Sequence, residues 1–154
     1  MRQRGFEIVT GWQDKGIQLP QRKTAASAGY DLAAGEAVTI APGTLVMLPT
    51  GLKAYMQEDE VLTIHIRSSM AVKRHLVLMN SVGVVDADYY NNPDNEGHLY
   101  IALYNRGQES VQLAKGERIA QGIFQKYLTV DDDVAGEGAA RLGGWGSTGS
   151  GGKE

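Results

Sequence analysis

Glycine cuts this chain into short pieces. Twenty of its 154 residues are glycine, and they recur between apolar runs too short for ordinary helices. "EAVTIAP" sets Ala37 and Thr39 against Val38 and Ile40, then stops at Pro42-Gly43. "GTLVMLPTGLKAYM" follows, broken by a turn at Pro49-Thr50-Gly51. "VLTIHI" places Leu62, Ile64 and Ile66 on one face and Val61, Thr63 and His65 on the other. That period of two marks a half-buried strand. "HLYIALYN" alternates Leu99, Ile101 and Leu103 against Tyr100, Ala102 and Tyr104, and "ESVQLAKG" and "RIAQGIFQKYLTV" read as further strands. "LVLMNSVGVV" is nearly continuous apolar sequence, which predicts burial on both faces. Only "SSMAVKR" reads as a helix, about two turns long, with Ser68 or Ser69 as its cap. The pattern predicts an all-β domain, a sandwich, jelly roll or barrel, carrying one short helix.

Composition narrows the function. A formal charge of −3 and a pI near 5.6 leave no electrostatic footprint for nucleic acid. No cysteine is present, so there is neither a disulfide framework nor a thiolate metal site. "MRQRGFEIVTGW" lacks the apolar run of a signal peptide, and no stretch approaches the length of a membrane span. The expectation is a cytoplasmic domain with no nucleic-acid or membrane partner. Residues 1–140 are expected to form the β domain, and residues 141–154 a flexible glycine-rich lid. Its stretch "GGWGSTGSGG" has six glycines in ten residues and looks like a phosphate cradle. A P-loop, however, runs on into a helix, and only Lys153 and Glu154 follow here.

Several polar clusters suit chemistry. "RSSM" sets Arg67, Ser68 and Ser69 at a helix start, where free amides and a guanidinium favour an anion. An ordinary cap with a surface arginine fits the same residues. "NSVGVVDADYY" ends an apolar run with Asp86 and Asp88, two apart and so on one face of a strand. Asp86 suits orienting a water or holding a metal, and a turn pair is the plainer reading. Asn80 precedes Gly83, which admits a close approach to the backbone. "AGYDLAA" puts Asp31 among small residues and reads as a bulge or turn. "GERIAQG" reads as a turn entering a strand, with Arg118 and Gln121 three apart and therefore on opposite sides. His65, His75 and His98 lack metal-ligand spacing and read as structural or surface groups.

Taken in order, "AGYDLAA", "RSSMAVK", "NSVGVVDADYY", "GERIAQGIF" and "GGWGSTG" resemble the five motifs of the trimeric dUTP pyrophosphatase (dUTPase) family, covering Ala28 to Gly149. The resemblance implies a β jelly roll in a homotrimer, with sites where subunits meet. It implies Mg²⁺-dependent hydrolysis of dUTP to dUMP and pyrophosphate by water attack at the α-phosphorus. The Mg²⁺ would be held through substrate phosphates and waters. Asp86 would position the water and bond the 3′-hydroxyl. Tyr89 would pack on the sugar and exclude a 2′-hydroxyl. Asn80, Tyr100 and the backbone of Gly83, Val84, Val85 and Asp86 would read uracil. Arg67, Ser68, Ser69 and Gln121 would hold phosphates, and Asp31 would support that network. The tail would close over a site on other subunits, with Trp145 stacking and Arg141, Ser147 and Thr148 reaching the γ-phosphate.

This chain departs from the family pattern at three places. Trp145 stands where phenylalanine is usual, and Arg141 lies one residue nearer that aromatic. "NNPDNE", Asn91 to Glu96, lengthens a hairpin that is usually tighter. It reads as a tolerated surface loop or as a protrusion for a protein partner. Two other functions fit parts of the pattern. A dCTP deaminase shares the "RSS" start but would need a catalytic glutamate where "VVDADYY" offers aspartates. A dUTP-responsive regulatory module would use the Asn91–Glu96 loop on a protein.

Overall fold

A computed structural model describes residues 1–136 and 140–144. The described residues form eleven strands: β1 (Gly5–Ile8), β2 (Tyr30–Ala33), β3 (Val38–Ile40), β4 (Leu45–Pro49), β5 (Leu52–Tyr55), β6 (Glu60–Ile66), β7 (Leu76–Leu78), β8 (Gly83–Asp86), β9 (Tyr100–Asn105), β10 (Val111–Leu113) and β11 (Arg118–Lys126). The helix α1 (Ser68–Arg74) joins β6 to β7. All strand pairings are antiparallel. A four-stranded sheet runs β2-β11-β6-β8, a three-stranded one runs β4-β9-β7, and β1-β5 and β10-β3 make two ribbons. This is the all-β fold that the alternating runs lead one to expect, of the jelly-roll type that the family resemblance implies.

All four sheets share one core. Leu32, Leu62, Ile119 and Ala120 enter it from the first sheet, Leu48, Leu76 and Leu103 from the second, and Ile40 from a ribbon, each with no exposed surface. Burial of such side chains contributes about 1.5–3 kcal/mol each relative to exposure. No described helix is long and apolar enough to cross a membrane.

The sequence misleads at four places. "LVLMNSVGVV" is not one strand buried on both faces. It divides into β7 and β8, which belong to different sheets. The connection and one face of β8 look outward, leaving Met79, Val82 and Val84 exposed. "AGYDLAA" contains a strand, β2, rather than only a turn, because "YDLA" pairs with β11 and sends Leu32 inward. The segment at Gly5 also forms a strand, held by pairing to β5. Finally, neither serine caps α1. The capping position is Arg67, in extended backbone, and no side-chain bond is made there. Ser68 and Ser69 already lie inside the first turn, too late to cap it.

Candidate active site

A β-bulge builds the first part of the site. The register of β11 against β2 shifts between Arg118 and Ala120. Two consecutive residues, Ile119 and Ala120, therefore both enter the core. A bulge inserts one residue and breaks the alternation of faces. Arg118 and Gln121 consequently emerge on the same side, not on opposite sides as simple alternation predicts. Gln121 lies opposite Asp31 across the sheet, and Arg118 Nη1 donates to Asp31 Oδ2 at 3.2 Å. The Gln121 side chain also explains Gly29, where a Cβ would fall 2.3 Å from its Oε1. Arg67 joins this end of the sheet, its backbone N–H donating to Ile119 O at 3.0 Å, and Ser68 and Ser69 follow it. A groove of about 630 Å³ runs alongside, lined by Asp31, Arg118, Arg22, Lys23 and Lys115 among others. Simple alternation sets Arg118 on the side away from Gln121 and its partner Asp31. Only the bulge, invisible in the pattern, turns it toward Asp31.

The second part gathers at β8, the last strand of its sheet. One edge of β8 pairs with β6, no other described strand pairs with β8, and its residues line a cavity of about 120 Å³. Pockets for drug-sized ligands run to about 300–1,000 Å³, so this one suits a single flat ring. Asn80, Gly83, Val84, Val85, Asp86, Tyr89 and Tyr100 all line it. Val85 turns its side chain into the core, so it offers backbone alone. Gly83 faces Ile64 so closely that a Cβ would sit 3.1 Å from Ile64 Cβ.

Asp86 ends the strand, and Ala87–Tyr89 turns into a single 3₁₀ turn. Asp86 and Asp88 therefore do not share a strand face. They converge instead on Arg141, whose Nη2 lies 2.6 Å from Asp86 Oδ2 and whose Nε lies 2.6 Å from Asp88 Oδ1. Gly144 continues past the Tyr89 ring, where a Cβ would fall 2.5 Å from Cε1. The first described residues of the tail thus lie on their own chain's Asp86. Trp145, Ser147 and Thr148 lie outside the described residues.

His98 sits behind the pocket, 4.4 Å from the Tyr100 ring between centroids. Its Nε2 accepts the Gly51 N–H at 2.9 Å, which requires that nitrogen to be unprotonated. Burial lowers its pKa from 6.5 to about 4, so at neutral pH it is an uncharged structural group.

Asp86 stands apart from the first group along β6. Gln121 pairs with His65 and Asp86 with Val61, four residues apart on that strand. At ~3.3 Å per residue that is roughly 13 Å along the strand.

The dUTPase family model matches residues 15–149 of this sequence. The chain belongs to the dUTPase family. It is 53% identical over 150 residues to the deoxyuridine 5′-triphosphate nucleotidohydrolase of Lactococcus lactis subsp. lactis, spanning 97% of this chain and 100% of that one. The crystal structure of a dUTPase from Streptococcus mutans superimposes with a TM-score of 0.79 at 50% identity, covering 82% of this chain and 98% of that one. A dUTPase from phage phi11 of Staphylococcus aureus, described with a structural Mg(II) ion, shares the fold at a TM-score of 0.70 and 19% identity, covering 88% and 97%.

Against the family pattern, the Asn91–Glu96 segment stands out. The structure folds it back on its own chain rather than out from the surface. Asn92 is buried, and Glu96 Oε2 accepts from Lys53 Nζ at 2.8 Å and from the Thr10 backbone and hydroxyl, each at 3.0 Å. Nothing in the six letters signals this, because Lys53 and Thr10 lie about forty and eighty residues away in the chain.

Proposed function

We propose that this dUTPase-family chain hydrolyses dUTP to dUMP and pyrophosphate, and that it does so in sites completed between copies of itself. The observation that carries the reading is the free edge of β8, which brings Asn80, Tyr100 and Asp86 around one small cavity beside Tyr89. A strand edge offers N–H and C=O groups at fixed spacing. Such groups suit the alternating acceptor and donor edge of uracil. Cytosine presents an amino group where uracil presents O4, so a backbone N–H aimed there would face another donor. Sites built on buried hydrogen bonds discriminate by about 10⁴–10⁵. Thymine adds one methyl, which a cavity of about 120 Å³ resists by shape.

Tyr89 is the sugar platform in this reading, held almost fully buried at the cavity wall. Asp86 positions the attacking water. A carboxylate is a weak base at neutral pH, so its main contribution is orientation for in-line attack at the α-phosphorus. Arg67, Ser68, Ser69, Gln121 and the Asp31–Arg118 pair then hold the phosphates. These groups sit roughly 13 Å along β6 from Asp86 at the strand rise of ~3.3 Å, and in this reading a second copy supplies them beside it. That is in keeping with the trimer with shared sites that the family resemblance implies. Residues 141–154 act as the lid, with Trp145, Ser147 and Thr148 over base and phosphates.

The donor set is oxygen-rich, with Asp86 and Asp88 beside the cavity and Asp31 in the phosphate group, which suits a hard cation held by phosphate oxygens and waters. Mg²⁺ would supply charge neutralisation of the triphosphate as pyrophosphate leaves. The cysteine-free sequence is in keeping with work in the cytoplasm.

The test is product analysis with dUTP, dCTP, dTTP and UTP. Rapid release of dUMP and pyrophosphate from dUTP alone is expected. Ammonia from dCTP, or equal turnover of dTTP or UTP, would overturn the assignment.

A further inference from the structure

We infer that Asn95, within the Asn91–Glu96 segment, is a positioning residue for Tyr89 and thereby sets the preference for deoxyribose. The inference rests on the proposed role of Tyr89 as the sugar platform. Asn95 Nδ2 donates to the Tyr89 hydroxyl at 2.8 Å, and that hydroxyl donates onward to His98 O at 2.7 Å. The ring is therefore held at its far tip from two sides.

The direction of the first bond follows from its neighbours. Asn95 Oδ1 accepts the Gly97 N–H at 3.1 Å. A backbone N–H can only donate, so the oxygen must face Gly97 and the amide nitrogen must face Tyr89. The same logic orients Asn92. Its Oδ1 accepts the N–H groups of Asp94 and Asn95, at 3.0 and 3.1 Å. Its Nδ2 is thereby left to donate to Tyr89 O at 2.7 Å and Asn95 Oδ1 at 2.8 Å. Tyr89 is thus tied to the segment at its backbone carbonyl and at its hydroxyl.

The segment itself is anchored rather than loose. Asn91, Glu96 and Gly97 hold positive φ of 55°, 65° and 86°, and the Asn91 N–H donates to Glu96 O at 2.9 Å. Lys53 Nζ closes the base by donating to Asn91 Oδ1 and Glu96 Oε2, at 2.6 and 2.8 Å. Holding a non-glycine residue at positive φ costs free energy. The turn is kept because Lys53, Thr10 and the two asparagines over-determine it. A ring held at both ends cannot tilt away from the sugar to admit a 2′-hydroxyl. Discrimination by shape requires a wall that does not yield.

The experiment is a double-mutant cycle on the ratio of kcat/KM for dUTP to that for UTP. Asn95→Ala is expected to lower the ratio about fivefold, through a higher KM for dUTP and faster UTP turnover. Tyr89→Phe removes that contact together with the hydroxyl's bond to His98 O, without touching the loop's own bonds, and is expected to lower the ratio at least as far. The double variant should fall no further than about twofold below Tyr89→Phe alone, because the Asn95–Tyr89 bond is already lost there. Additive losses, or an unchanged ratio in Asn95→Ala and Tyr89→Phe, would overturn the inference. Tyr89→Ala separates the two levels of argument. If it leaves the ratio intact, the sugar-platform reading is wrong and this inference falls with it. If it collapses the ratio while Asn95→Ala and Tyr89→Phe do not, the positioning role alone is wrong.

Discussion

Arg141 grips Asp86 by a 2.6 Å hydrogen bond from Nη2 to Oδ2. The first charged side chain of the tail thus rests on the carboxylate proposed to orient water, with Asp88 holding its Nε. Asp86 and Asp88 are both more than half exposed. Their open carboxylates keep both pairs screened by solvent, although the Arg141 side chain itself is only 12% exposed. The contact can therefore yield to substrate phosphates, which offer the guanidinium a denser negative charge.

Asp86→Asn keeps the shape and removes the charge. Turnover is expected to fall by at least ~100-fold, while the Kd for dUTP changes less than about threefold. Pyrophosphate release and calorimetric titration on the same preparation check both parts, and near-normal kcat would refute the role of Asp86.

A chain ending at Ala140 loses no described strand, since β11 ends at Lys126. It is expected to fold and bind the nucleoside, yet to turn over at least ~10-fold more slowly without a lid to exclude water. Co-refolding it with Asp86→Asn chains then locates the tail. Recovered activity in mixed assemblies assigns the lid to a neighbouring subunit. No recovery assigns it to its own chain, where Arg141 already lies.

Lys53→Met should destabilise the fold. Lys53 is nearly buried, and its loss leaves Glu96 and Asn91 without their shared donor. A loss of about 2–3 kcal/mol is expected, somewhat under the range for a fully buried pair because Glu96 keeps some solvent contact. Urea denaturation should show a lower midpoint at an unchanged slope. Adding Glu96→Gln should recover part of the loss.

His98 makes stability depend on pH in a defined window. Its pKa is about 4 in the fold against 6.5 ordinarily. Above pH 6.5 it is neutral both folded and unfolded, and its contribution is complete. Between pH 6.5 and 4 the unfolded chain binds a proton that the folded chain does not, so stability falls as pH falls. Below about 4 the loss levels off, at about 3 kcal/mol. Wild type and His98→Gln compared by denaturation at pH 7 and pH 5 should converge as the pH drops. An imidazole signal that titrates near 6.5 in the folded protein would refute the assignment.

Much of the architecture is legible in the letters. The alternation of "VLTIHI" and "HLYIALYN" gives β6 and β9 with their inward faces, and "SSMAVKR" matches α1 residue for residue. Local pattern fails where partners decide. β1 exists because β5 offers it an edge, and "LVLMNSVGVV" divides because its two halves pair with β9 and β6 separately. The proposed site residues are nameable from five motifs, but their grouping is not. Alternation places Arg118 and Gln121 apart, and the bulge reunites them. Asp86 and Asp88 meet through a guanidinium more than fifty residues onward, a distance over which a sequence carries no periodic signal.

The bulge in β11 gives one stretch of the gene a slack of a single codon. Between Arg118 and Gln121, exchanges among small and branched apolar residues at 119 and 120 still present a polar side chain outward on each flank. Removing one of those two codons restores plain alternation with a single core residue between Arg118 and Gln121, so both still face outward opposite Ala33 and Asp31 of β2. Removing a codon elsewhere inside the strand turns every side chain on one side of the cut to the opposite face. A deletion scan of β11 should therefore show tolerance confined to positions 119 and 120.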